Sequence, residues 1–331
     1  MVENRIIDCS SVSVSDFVTP FLLHGGLFRG RFARISEISN IILGRHQYPA
    51  GVSRLVIEAA ALATLLANVL KFEGTFTLQV KGSGPVRQLV ADVTSEGKVR
   101  ACATFDSEAK GLDDPGMLDG PSVQRLLGNG YLAFTVDQGN FSDRYQGIVE
   151  LNGRTLAECL HEYFRKSEQL ETAIKVASAP PSANMPGWRV AALMLQKIPT
   201  SGGLPSDITP EDVEEAWRTS VIFLGSLTTE ELLNPQLKEN VLLHRLFHEE
   251  DLSLSPNRPL SFGCRCSRER VERTLSAFGA HGLKDMKLDD GSINVQCEFC
   301  SIWYTFSSAE VDVLAGLGQN AGDSCAGRSV P

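Results

Sequence analysis

The chain has 331 residues, a net charge of −9, and hydrophobic and charged fractions of 43 % and 21 %. That length supports two or more domains with a sizeable core. The acidic balance excludes a general nucleic-acid binder. The start, Met1-Val2-Glu3-Asn4-Arg5, lacks the basic and apolar regions of a signal peptide. The most apolar stretch, Ala59 to Leu70, is twelve residues long and contains Asn68, too short to cross a bilayer. The expectation is a cytoplasmic protein with no membrane partner, in a compartment where thiols stay reduced.

Residues 1–50 read as irregular, with Gly25-Gly26 and Gly30 punctuating a basic patch of Arg29, Arg31 and Arg34. A solvated face is the expectation for that patch. Ser53 is placed to cap a helix reaching about Phe72, apolar nearly all round and therefore buried. Strand patterns follow at Thr75–Val80, Val86–Val93 and Val99–Phe105, joined by glycine turns into an antiparallel meander. The turn Gly82-Ser83-Gly84-Pro85 lacks the Lys-Ser/Thr ending and the helix of a phosphate loop. Residues 106–130 read as a loop with at most a short helix. Strands at Tyr131–Val136 and Gly147–Leu151, a helix at Thr155–Leu170, and strands at Ala173–Ala177 and Val190–Leu195 complete an α+β domain over residues 1–200.

Thr200-Ser201-Gly202-Gly203 breaks the chain, and an acidic helical linker, 201–256, follows. Between 207 and 251 there are eleven acids and three bases. Thr209-Pro210-Glu211-Asp212 offers a cap, a first-turn proline and acids on the helix dipole. A stripe of Val213, Ala216, Trp217, Val221 and Leu224 comes next, then a second capping box at Thr228-Thr229-Glu230-Glu231. A third helix after Pro235 carries Val241, Leu242, Leu243, Leu246 and Phe247. Short helices with this apolar load do not stand alone in water. They must lean on the first domain, on the C-terminal module, or on both. His244 and His248 have metal-pair spacing, but Arg245 stands where the zincin motif needs Glu. They read as surface or interface histidines.

The strongest signal is Cys264-Arg265-Cys266 followed, thirty residues later, by Cys297-Glu298-Phe299-Cys300. Two thiolate pairs at ligand spacing point to one four-coordinate Zn²⁺, in a module over 257–315. Ser267 is placed to cap a helix with Val271, Leu275 and Phe278 on one face, and Gly279 to end it. Asp289-Asp290-Gly291 reads as a hairpin turn, and the second pair as a knuckle between strands around Val295 and Tyr304. The C-x-C arm places two thiolates close enough to oxidise if the metal leaves, so the site has the makings of a switch. The module carries six bases against seven acids over 261–310, which leaves no footprint for DNA or RNA. Cys9, Cys102, Cys159 and Cys325 are scattered and read as passive. The tail from Gly316 reads as disordered.

Several stretches together resemble the heat-shock-protein-33 family of redox-regulated holdase chaperones. They are Val80-Lys81-Gly82-Ser83-Gly84-Pro85-Val86-Arg87, Arg144 to Val149, Tyr163 to Leu170, Leu243 to Glu250, and Cys264 to Arg270 with Cys297 to Cys300. Residues 106–130 and the glycine-rich tail depart from the family pattern. The resemblance implies an ATP-independent holdase, not an enzyme, for unfolding proteins under oxidative stress. It implies inactivity while zinc is held by Cys264, Cys266, Cys297 and Cys300. Oxidation then yields disulfides Cys264–Cys266 and Cys297–Cys300, and the oxidised form is a homodimer. The linker side chains Trp217, Val221, Leu242, Leu246 and Phe247 become candidates for the client-binding surface. The competing readings are a thiol-disulfide oxidoreductase using Cys297 and Cys300, and a zinc-ribbon interaction module.

Overall fold

The computed structural model describes residues 16–69, 72–114, 122–137, 145–199 and 208–323. Cys9, Cys325 and the break at 200–207 lie outside them. The fold is α+β, and the chain divides into two compact units, Met1–Gly263 and Cys264–Pro331.

The first fifty residues are more regular than expected. β1 (Phe17–Leu23) and β2 (Phe28–Arg34) form an antiparallel hairpin, and α1 (Ser36–Leu43) follows. The sequence hid these strands because both faces of the hairpin are buried. Val18 and Ala33 face one core while Phe17, Phe21, Phe28 and Phe32 face another, so polar residues do not alternate with apolar ones along β1; β2 alternates, but only over Phe28 to Phe32. Gly25 and Gly26 take positive φ in the turn, 61° and 98°. Gly30 must be glycine, since a Cβ there would lie 2.0 Å from the Phe21 ring.

α2 (Ala50–Ala67) is buried on every side. It starts at Pro49, and Ser53 sits inside it with its hydroxyl donating to the Tyr48 carbonyl, 3.3 Å, instead of capping. By length and composition α2 would cross a membrane, but 89 % of it is buried in the protein, as in a core helix.

The two large sheets sandwich this helix. The first has the order β10-β1-β2-β9-β8, with β11 also pairing β1. Here β8 is Thr172–Ala179, β9 is Arg189–Lys197, β10 is Ser253–Leu254 and β11 is Arg258–Pro259. The second has the order β12-β5-β4-β3-β6-β7, built from Thr75–Gly82 (β3), Val86–Thr94 (β4), Lys98–Phe105 (β5), Gly130–Asp137 (β6), Tyr145–Glu150 (β7) and Ser261–Phe262 (β12). The expected meander is β3-β4-β5. The Gly82-Ser83-Gly84 turn serves packing: Gly84 N–H donates to the Leu127 carbonyl, 2.7 Å, and a Cβ on Gly82 would meet that carbonyl at 2.3 Å. α3 (Leu156–Tyr163) is capped by Thr155, and a wider turn over Phe164–Glu168 ends it earlier than expected, with Gln169 at φ 52°.

One core lies between the two sheets around α2, built with Val18, Ala192 and Met194 of the first sheet. A second lies on that sheet's other face, where the acidic helices pack. These are α4 (Pro210–Ser226), α5 (Thr229–Leu233) and α6 (Glu239–Phe247), and both expected capping boxes are formed. The segment the sequence set apart as a linker is thus the outer layer of the first unit.

The second unit contains α7 (Arg268–Ala277), α8 (Gly279–Lys284), the hairpin β13 (Ile293–Gln296) and β14 (Trp303–Phe306), and α9 (Ser308–Asp323). α9 runs past Gly316, where disorder was expected. It is launched by Ser307, whose hydroxyl accepts from the Glu310 N–H while its own N–H donates to the Glu310 carboxylate.

Candidate functional site

Each cysteine pair is held by local geometry. Cys264 and Cys266 lie in the extended stretch before α7, whose first turn is capped by Ser267 accepting from the Arg270 N–H at 3.3 Å. Cys297 and Cys300 lie in the turn between β13 and β14. The Cys297 N–H donates to the Ile302 carbonyl at 2.9 Å, and the Ser301 N–H to the Cys297 carbonyl at 2.8 Å. This is the expected knuckle. Asp289-Asp290-Gly291 is also a turn, with Gly291 at φ 80°, but it leads from α8 into β13 and joins no hairpin. Phe278, expected on the buried face, is 51 % exposed, because α7 stops at Ala277 and Phe278 falls at the junction with α8.

The four sulfurs converge within 4.8 Å of one another. Sγ of Cys264 is 3.4 Å from Cys266 and 3.7 Å from Cys297, and Cys266 is 3.3 Å from Cys300. None is in a disulfide. A tetrahedron of sulfurs about 2.3 Å from a central zinc has edges of about 3.8 Å, so a cluster of this size is compatible with that ion. Burial raises the thiol pKa of Cys297 and Cys300. Four thiolates this close are stable only around a cation. The group can hold a metal ion and is compatible with zinc. The sequence reading missed one partner: the Tyr304 hydroxyl donates to Cys266 Sγ at 3.2 Å. Among the described residues the apolar core of this unit is small. Its buried core is Leu275, Leu283, Ile293, Phe306, Val311 and Leu314, with Arg268 stacked on Phe306 and paired with Glu272 and Glu310.

The linker candidates occupy one surface of the first unit. Trp217, Leu242 and Phe247 are buried, while Val221 and Leu246 are half-buried at its margin. Trp217 meets Phe28 edge-on at 5.3 Å, and Phe247 stacks on Phe21 at 5.8 Å. The sheet side of this surface, Phe17, Phe21, Phe28, Phe32, Leu193 and Leu195, was not anticipated. Its signal was the alternation Phe28-x-Gly30-x-Phe32.

Polar contacts tie the helices down. Arg34, expected in a solvated patch, is 3 % exposed, and its guanidinium donates to the Leu232 and Leu237 carbonyls at 3.3–3.4 Å. It is buried because the linker lies over it, and that burial lowers its pKa. The buried Glu250 carboxylate accepts from Ser220 at 3.4 Å and contacts the His24 ring, and the Glu250 carbonyl accepts from the His24 N–H at 2.8 Å. His244 and His248 are exposed with stacked rings and belong to no metal-ligating group among the described residues.

The Hsp33 protein family matches this chain over residues 16–307. The chain belongs to the Hsp33 family. Its relatives include the 33 kDa chaperonin of Caulobacter vibrioides, 35 % identical over 88 % of this chain and 94 % of that one. The 33 kDa chaperonin of Pseudomonas aeruginosa is 36 % identical over 93 % of this chain and 97 % of that one. The crystal structure of the 33 kDa chaperonin (heat shock protein 33 homolog) of Thermotoga maritima shares the fold. Its TM-score is 0.76 at 22 % identity, over 92 % of this chain and 99 % of that one.

Proposed function

We propose that this protein is a redox-regulated, ATP-independent holdase chaperone of the cytoplasm, which binds unfolding proteins under oxidative stress and is not an enzyme. The observation that carries this reading is the pairing of two features in one Hsp33-family chain. One is a four-sulfur cluster in a unit with a small core; the other is a large aromatic surface covered by short acidic helices.

In this reading Cys264, Cys266, Cys297 and Cys300 hold one Zn²⁺ in the reduced protein. Bound zinc keeps the thiolates deprotonated and supplies folding free energy to a module with little core of its own. The thiolates are also the reductants. Two equivalents of peroxide take four electrons from the four thiolates and four protons from solvent, giving disulfides Cys264–Cys266 and Cys297–Cys300 and four waters. The module over 257–315 then loses its staple. The strap that runs from α6 through β10, β11 and β12 ends at Gly263, directly before Cys264, so disorder in the module reaches the linker through the chain itself. The linker, 201–256, lifts. Trp217, Val221, Leu242, Leu246 and Phe247 are freed together with the aromatic face beneath them. The acidic outer surface keeps client complexes soluble, and the activated form dimerises. Cys102 and Cys159, buried and far from ligand spacing, are dispensable.

The test is zinc content and suppression of client aggregation, before and after peroxide at mildly raised temperature. Wild type should hold one zinc and be inactive when reduced, then lose zinc and gain activity. Cys264→Ser with Cys297→Ser should hold no zinc. Full zinc content in that variant, or insulin reduction in place of holding activity, would reject the reading.

A further inference from the structure

A second site lies on the α2 side of the first sheet, away from the cysteines. Arg29 and Arg31 alternate along β2 and share that face with Gln196 of β9. Arg258 of β11 pairs with Val18, which also faces α2. None of the three arginines has an acidic partner among the described residues. Arg29 donates twice to Gln196, a fully buried side chain whose amide in turn donates to Thr172. Arg31 donates to the Asn68 and Gly30 carbonyls, and Arg258 to the Asn68 side chain at 3.4 Å. Each of Arg29 and Arg31 therefore keeps guanidinium N–H groups unengaged. Buried charge is normally paired. Here partial burial and mutual repulsion bring Arg31 down to about 10. The C-terminal carbonyls of α2 compensate only in part.

Arg29 and Gln196 also line a cavity of about 110 Å³. Its floor is the buried Phe76, Phe134 and Phe164, and its mouth is the partly exposed Val69 and Leu170. Glu168 lies on the same wall, with its carboxylate held by the Tyr163 hydroxyl. An apolar cavity of about 150 Å³ takes a benzene, so this smaller one takes a few methylenes, with any longer tail in the mouth. A compact anionic headgroup joined to an apolar tail suits Arg29 and Arg31 beside this lining, whereas inorganic phosphate has no tail to place in it.

We propose that this is a binding site for a small amphiphilic carboxylate. The headgroup bridges Arg29 and Arg31, with Arg258 adding long-range attraction, and the tail enters the Phe76–Phe134–Phe164 cavity. The site does not depend on the redox reading, because it forms with the linker in place and uses no thiol.

The experiment is thermal unfolding and calorimetric titration of the reduced, metal-loaded full chain with octanoate below its micelle concentration. Acetate, octylammonium and inorganic phosphate serve as comparisons. Octanoate should raise the unfolding midpoint saturably, and the other three should not at equal concentration. Arg29→Gln together with Arg31→Gln should weaken octanoate about tenfold or more, through loss of charge-assisted bonds. Val69→Phe, which fills the mouth, should weaken it with both arginines intact, and decides alone if the double variant fails to fold. No saturable effect of octanoate would overturn the proposal. So would an equal effect of phosphate, which marks an anion patch with no use for the cavity. An octanoate effect unchanged in both variants would assign it to apolar surface elsewhere.

Discussion

The Trp217 indole of α4 meets the Phe28 ring of β2 edge-on, with centroids 5.3 Å apart. This contact sits in the core shared by the sheet and the three acidic helices. A buried Trp replaced by a small side chain costs roughly 3–5 kcal/mol, a large share of what short helices gain by docking. Trp217→Glu adds the cost of an unpaired buried charge. It should raise client binding in fully reduced, zinc-loaded protein. Reduced activity that stays at zero, with linker amides still as protected as in wild type, would mean that the linker is not the gate.

Arg34 holds the same layer by its backbone. Its guanidinium bridges the carbonyls of Leu232 and Leu237 at 3.3–3.4 Å. Arg34→Met leaves both carbonyls without that donor, at a cost of about 1–3 kcal/mol. Amide exchange across 228–247 should quicken while β3 to β6 keep their protection. Unchanged exchange across 228–247 would show that the bridge contributes nothing to docking.

Much of this was legible in the sequence, and the misses have physical causes. Both capping boxes, at Thr209 and Thr228, announced their helices because a cap is a local interaction written in adjacent residues. The two cysteine pairs announced their cluster because spacing fixes ligand geometry. β1 stayed hidden because the linker covers one face of the hairpin and α2 the other, which erases the alternation that marks a strand, while in β2 the alternating Arg29 and Arg31 read as a solvated patch. Arg34 misled for the same reason: its burial is created by helices some two hundred residues away in the chain. Tyr304 was invisible as a partner of Cys266, since the contact exists only once β14 folds back beside the first cysteine pair.

That Tyr304 contact predicts a rate. A hydroxyl donated to sulfur withdraws electron density from it and lowers its nucleophilicity toward peroxide. Tyr304→Phe should speed zinc release by peroxide by roughly threefold or more, from the loss of about one hydrogen bond. Stopped-flow detection of released zinc with a chromogenic chelator measures this. An equal or slower release would remove Tyr304 from the control of the switch.

Asp16 predicts a pH dependence. Its carboxylate accepts from the Glu37 and Ile38 N–H groups at the start of α1, yet burial outweighs those bonds and pushes it up to about 6 from 3.8. The folded state therefore binds the proton more tightly than the unfolded state. The stability this contributes is complete below about 3.8 and is lost as pH rises through about 6. The full swing is about 3 kcal/mol. Wild type should lose stability relative to Asp16→Asn between pH 4 and 6.5, read by denaturant unfolding. Parallel stability curves for the two proteins would show that Asp16 does not titrate in this way.

In the proposed mechanism the acidic helices cover the binding face and leave it when the cysteines are oxidised. Hydrogen exchange of wild type, reduced with zinc and then oxidised without it, tests this most directly when client suppression is measured on the same samples. Amides across 210–247 should be protected in the reduced protein and open in the oxidised one. Those of β3 to β6 should stay slow in both, and suppression of aggregation should appear only with the opening. Holding activity in oxidised protein whose α4 and α6 amides remain as slow as those of β3 would contradict it.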